Sequence, residues 1–223
     1  MMESETLREE VQRLLHLLRN TAGETRRQAA AALQDLGVRV RGGARIRGAV
    51  TRAAAQPIAA FDLTPALEAL TDAQWEVRRE VACALGQWGD ELAIEALSRL
   101  VHSEPEWRVR VAVADALADI GESQAVESLT SIARRDPHEE VRVHAIEGLG
   151  RLALNTWPVL ATHIRQRGAV RTRGGIRVRG ASPSKRISPE ADAILALLDQ
   201  TRSTDPSARV RAAADDALGS LDE

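Results

Sequence analysis

The chain of 223 residues contains no tyrosine, one phenylalanine and four tryptophans. Phe61, Trp75, Trp88, Trp107 and Trp157 are its whole aromatic content. That is too little for an RNA-binding sheet or a base-stacking platform. Cys83 is the only cysteine, which excludes an internal disulfide and a multi-cysteine zinc site. No apolar run approaches the roughly 20 residues of a membrane span. The opening MMESETLREE is acidic and polar, unlike a signal peptide, so the expected location is the cytoplasm. A strong charge of one sign is also missing. The formal net charge of -2 argues against a generally basic nucleic-acid binder.

The charge is segregated. Residues 38–60 hold Arg39, Arg41, Arg45, Arg47 and Arg52 and no acid. Residues 160–187 hold Arg165, Arg167, Arg171, Arg173, Arg177, Arg179, Lys185 and Arg186, again with no acid. The two stretches contain 13 of the 30 lysines and arginines and none of the 32 acidic residues. The remainder is an acidic body.

That body repeats. Residues 76–89 (EVRREVACALGQWG), 108–121 (RVRVAVADALADIG) and 140–153 (EVRVHAIEGLGRLA) align at a spacing of 32. Val77, Val109 and Val141 share a place, as do Arg78, Arg110 and Arg142, and Leu85, Leu117 and Leu149. Val77, Val81, Ala84, Leu85 and Trp88 form one helical stripe, and Gly89 or Gly121 ends the helix in a left-handed cap. A second helix follows, with Ile94, Leu97, Leu100 and Val101 as its stripe, repeated by Val126, Leu129, Ile132 and Ala133. Asp136-Pro137 forms the turn to the next unit. Weaker copies flank these units. Arg26, Leu33 and Gly37 take the places of Arg78, Leu85 and Gly89, and Val210, Arg211 and Leu218 those of Val77, Arg78 and Leu85. A lone helix pair cannot bury its stripe, whereas a stack can. Its many alanines let the helices approach closely.

Residues 72–97, from Asp72 and Trp75 through Val77-Arg78, Leu85-Gly86 and Gly89-Asp90 to Ala96-Leu97, resemble HEAT-like repeats, particularly those first noted in phycobilisome lyases. The resemblance covers residues 62–153 most fully. It implies an all-α, right-handed α–α superhelix, a solenoid with a concave ligand-facing groove, occupying residues 1–223 as a single domain. It does not imply lyase activity, because such folds host many functions. In such repeats the recurrent arginine supports helix packing, and Arg78, Arg110, Arg142 and Arg211 are read that way first.

Two segments break the repeat. Residues 38–48 (VRVRGGARIRG) and 170–180 (VRTRGGIRVRG) match at an offset of 132. Their two-residue alternation around Gly-Gly predicts two inserted arginine-rich β-hairpins. A three-residue loop, Arg41-Gly42-Gly43 in the first, pairs Val38 with Ile46 and sorts arginines from apolar residues in both segments. Such ribbons need a surface beneath them and an anion for their arginines. They could lie on their own acidic solenoid, dock on an acidic protein or a second copy, or contact phosphate. Arg39, Arg41, Arg45, Arg47, Arg171, Arg173, Arg177 and Arg179 are the predicted binding residues for a nucleic acid or an anionic partner. In architecture this arrangement is similar to the HEAT-like DNA glycosylase superfamily, some members of which carry a basic β-hairpin. No active-site motif of that group transfers to any residue here.

Reactive constellations are not found. His16, His102, His138, His144 and His163 form no His-Glu-x-x-His pattern. His144 and Glu147 share a helix face, but the matching positions Glu80 and Ala112 break any metal pattern. Cys83 lies in an apolar helix and reads as a small buried hydrophobe. Asp115 with Asp119, and Asp215 with Asp216, read as solvated acidic faces. Trp75 and Trp107 read as packing between repeats. The expectation is a non-catalytic scaffold with no cofactor and no metal. Its partner is a protein or a second copy, and it does not enter a membrane. A DNA- or RNA-binding protein is the alternative, and a glycosylase- or lyase-type enzyme the remaining one.

Overall fold

The structure is a computed structural model. It describes residues 2–45, 61–89, 91–156, 170–172, 175–177 and 189–222, with side chains described over 6–40, 61–89, 91–154 and 190–221. The helices are α1 (Met2–Leu17), α2 (Gly23–Arg45), α3 (Thr64–Ala69), α4 (Trp75–Trp88), α5 (Ala93–Ser103), α6 (Trp107–Ile120), α7 (Ala125–Arg135), α8 (Glu139–Thr156), α9 (Pro189–Thr204) and α10 (Ala208–Asp222). A short ladder, β1 (Val170–Thr172) with β2 (Gly175–Arg177), lies between α8 and α9 in the chain. Residues 1–120 and 121–223 form two compact units.

In the first unit α2, α4 and α6 stack side by side, and α1, α3 and α5 each pack against them. The repeat stripe does this. Val77, Val81, Leu85 and Trp88 of α4 are buried, as are Val109, Val113 and Leu117 of α6 and Ile94, Leu97 and Val101 of α5. Each such side chain stabilises the stack by about 1.5–3 kcal/mol. Small residues set the spacing. A Cβ at Gly86 would come within 2.6 Å of the Ala116 Cα, so only glycine lets α4 and α6 approach this closely. The Trp88 indole N–H donates to the Leu33 carbonyl at 2.8 Å, and Phe61 meets its ring edge-on at 5.6 Å. Gly89 ends α4 at φ 67°, and Gly121 follows α6 at φ 79°.

In the second unit α7 packs on α8, α8 on α10, and α9 on both α8 and α10. Ile146, Leu149 and Leu152 of α8, Ile194, Leu197 and Leu198 of α9, and Leu218 and Leu221 of α10 form its core. β2 runs beside α9.

The predicted pair of arginine hairpins is overturned. The first does not form, because α2 continues without a break through Gly37 to Arg45. Alternation over a few residues is a weak signal beside a helix that is already nucleated, and extending that helix costs little. Gly37 therefore does not end a helix as Gly89 does. It is buried against α4, where a Cβ would lie 2.9 Å from Gln87 and 3.2 Å from Trp88. In the second segment the pairing is Val170 with Arg177, Arg171 with Ile176 and Thr172 with Gly175. That is a two-residue-loop register, one residue away from the predicted one. Arginine therefore stands opposite an apolar residue, and the predicted sorted ribbon is not made. What remains of it is three residues on each side.

Candidate functional site

The recurring arginine of the repeat builds a joint. Arg78 donates through Nε and Nη2 to Glu104 at 2.7 and 2.6 Å, and through Nη1 to the Asp72 carbonyl at 2.8 Å. Arg142 does the same with Asp205, at 3.0 Å for both bonds, and with the Asp136 carbonyl at 2.9 Å. Arg26 forks onto both oxygens of Asp72 and reaches the Asn20 and Thr21 carbonyls. Arg110 binds the Glu104 and Pro105 carbonyls, and Arg211 those of Asp205 and Pro206. The acids also cap turns: Asp72 accepts from the Gln74 N–H, Glu104 from Glu106 and Asp205 from Ser207. Each arginine thus ties the turn before its own helix, and Arg26, Arg78 and Arg142 also tie the next one. Burial raises the Glu104 pKa, but hydrogen bonds from Arg78 and the Glu106 N–H and the charges of Arg78 and Arg110 outweigh it and hold the carboxyl below its ordinary value. Burial likewise raises the Asp72 pKa, and the hydrogen bonds from Arg26 and the Gln74 N–H, with the charges of Arg26 and Arg78, outweigh it for a net lowering. These arginines are consumed by packing and are not free to bind a ligand.

The residues left over line the other side of the same helices. In the first unit they are Asp35 on α2, Arg79, Cys83 and Gln87 on α4, and Asp115 and Asp119 on α6. All are half-buried or exposed. Gln87 donates to Asp119 at 2.8 Å across the α4–α6 crevice. Arg79 pairs with its buried neighbour Glu80, and its buried Nε has no hydrogen-bond partner. Cys83 is pushed up to about 11 by burial and then by the Glu80 charge, so it is a thiol rather than a nucleophile at neutral pH. At the start of α6, Arg108 stacks on Trp107 at 4.6 Å and on Trp75 at 5.7 Å, and Nη1 bonds Glu106 at 2.9 Å. The two tryptophans therefore clasp a cation as well as packing.

In the second unit the equivalent face of α8 and α10 opens into a groove of about 260 Å³. Glu147, Arg151 and Leu154 line it from α8, and Asp216 and Ser220 from α10. Its floor is Gly150, Ala213 and Ala217, which are buried. Glu147 lies 32 residues after Asp115 and 64 after Cys83, and Arg151 stands likewise to Asp119 and Gln87. That spacing could have marked the face in the sequence. Asp72 was seen only as the start of the repeat pattern, and Glu104 and Asp205 went unnoticed, because these acids sit in turns, outside the apolar pattern.

Among the predicted binding residues, Arg39 is exposed on α2 beside Val38, which is 50% exposed. Arg41 and Arg45 lie on the α2 backbone, and Arg171 and Arg177 on β1 and β2. Their side chains, and Arg47, Arg173 and Arg179 entirely, fall outside the described residues. The DNA-binding expectation rested on two paired arginine ribbons and falls with them. His16 and His102 are exposed, and the His138 ring accepts from the Glu140 N–H at 3.3 Å; His163 is outside the described residues. Among the described residues no group of three side chains could hold a metal ion, and no helix is long and apolar enough to cross a membrane.

A family model for HEAT repeats matches residues 63–153. No curated protein matches the chain. Among solved structures, a designed armadillo repeat protein in complex with peptide (KR)4 is 18% identical with a TM-score of 0.54, over 98% of this chain and 91% of that one. An engineered protein is also 18% identical with a TM-score of 0.48, over 95% of this chain and 96% of that one. The family match and the armadillo repeat structure support a HEAT- or armadillo-like α-solenoid repeat fold and nothing specific to the DNA glycosylase superfamily or the lyases.

Proposed function

We propose that the chain is a non-catalytic protein-binding module that docks its partner on the leftover face of α2, α4 and α6 or of α8 and α10. The observation that carries this reading is the division of labour within each of these helices. The apolar stripe and the repeat arginine are used up in stacking, while the remaining positions hold a polar face that recurs at the same repeat places. Repeat folds use such extended surfaces for binding. The designed armadillo repeat protein of similar fold was solved with a (KR)4 peptide, which makes a basic peptide the first probe. The test is a titration of the chain with a Lys/Arg peptide and an Asp/Glu peptide, together with sedimentation for self-association. One of the three should occur, and charge changes at Asp35, Gln87, Glu147 and Asp216 should weaken it. E95K on α5 and E127K on α7 should not. If none of the three occurs, or if only the α5 and α7 changes matter, the reading fails.

A second reading is favoured by the end of α2. Val38 and Arg39 are exposed there, in a stretch with no acid from 38 to 60. An acidic protein would then be held by Arg39, Arg41, Arg45 and Arg47, and by Arg171, Arg173, Arg177 and Arg179 of the second stretch. It predicts capture of the Asp/Glu peptide and its loss in R39E/R41E.

A further inference from the structure

We infer that the groove between α8 and α10 receives a lysine or arginine side chain from a basic protein segment. This rests on the protein-binding reading and names its partner class. The groove offers two surfaces suited to different parts of such a side chain. Its floor is Gly150, Ala213 and Ala217, with nothing longer than a methyl group to meet an alkyl stem. Its walls each bring one exposed carboxylate, Glu147 from α8 and Asp216 from α10. A cationic head between them gains charge-assisted hydrogen bonds on both sides, whereas an anion would meet two like charges against the single opposite charge of Arg151.

The crevice is open for a reason visible in the repeat. In the first unit the matching positions, Gln87 and Asp119, hydrogen-bond across it at 2.8 Å. In the second unit the matching position on α10 is Ser220, whose short hydroxyl turns back to the Asp216 carbonyl at 3.0 Å. Arg151, one turn beyond Glu147 on the same wall, disfavours a second cation next to the first. It favours segments in which basic residues are spaced by neutral or acidic ones.

The experiment uses the full chain and three peptides of equal length: one with lysines spaced by serine, one with glutamates in the same places, and one with glutamines. The lysine peptide should bind, and more weakly as salt rises. E147Q/D216N should lower that affinity about five- to tenfold. S220W should lower it by filling the groove, while E127Q on α7 should leave it unchanged. Circular dichroism of each variant separates loss of the site from loss of the fold, and E147Q alone, an exposed and near-isosteric change, gives a reading even if S220W unfolds. No binding of the lysine peptide, or binding equal for the glutamine peptide, overturns the inference. So does binding that ignores E147Q/D216N. In the last case a loss on changing Asp35 or Gln87 would keep the broader protein-binding reading while removing this site.

Discussion

Arg78 and Arg211 stand at the same place in the repeat but are held differently. Arg78 forks onto Glu104, whose side chain is 1% exposed, whereas Arg211 bonds two turn carbonyls. Arg78→Ala therefore strands a buried carboxylate, at a cost of about 3–5 kcal/mol. Arg211→Ala loses ordinary hydrogen bonds, at about 1–2 kcal/mol. Urea unfolding of the two variants should show that gap, and equal midpoints would contradict it. The arginines themselves were legible, since a spacing of 32 makes them stand out. Their partners were not, because the acids lie 46, 26 and 63 residues downstream of Arg26, Arg78 and Arg142. Counted the other way they do recur, since Asp72, Glu104 and Asp205 each stand six residues before a repeat arginine, at Arg78, Arg110 and Arg211.

At the level of the helix, side-chain size at one position decides how closely neighbours approach. Gly86 of α4 and Gly150 of α8 share a repeat phase, and a Cβ at each would meet Ala116 at 2.6 Å and Ala217 at 3.0 Å. The obstacle at Gly86 is backbone, which cannot swing aside. Gly86→Val should cost about 2–3 kcal/mol or more, read as a lower thermal midpoint, whereas Gly219→Ala, with nothing within 4 Å, should be neutral or slightly stabilising through helix propensity. Periodicity located α4 to α7 well, because 14- and 11-residue helices contain enough turns to expose their stripe. It misread residues 38–45. There the pattern Val-Arg-Val-Arg fits a strand locally, but the decisive influence was the helix already running into it from Gly23. Gly37 was misread for a related reason: a glycine that ends a helix and one that permits close packing look alike in sequence.

For the molecule as a whole, the joints make stability depend on acid. Glu104 and Asp72 have pKa values lowered in the folded state relative to 4.5 and 3.8, so the unfolded chain binds more protons between the two values. Stability is fully present above about pH 5 and is lost as pH falls through the folded values. Melting temperatures measured from pH 6 down to pH 3 should fall below about pH 4.5, with a shallower fall in E104Q, which has one fewer carboxylate to titrate. A slope unchanged by E104Q would remove Glu104 from this account. The segregation of charge was plain from the sequence. The groove between α8 and α10 was not, since its lining residues come together only once the two helices lie side by side.

The joint also says where the chain tolerates added length. Arg78 and Glu104 close a segment of 26 residues, and Arg142 and Asp205 close one of 63 with the same pair of bonds. By loop-closure entropy the longer segment costs only about 0.8 kcal/mol more. The ion pair acts as a clasp indifferent to what hangs between its halves. A foreign peptide spliced between the two halves of such a clasp should therefore leave the helices on either side in their seating.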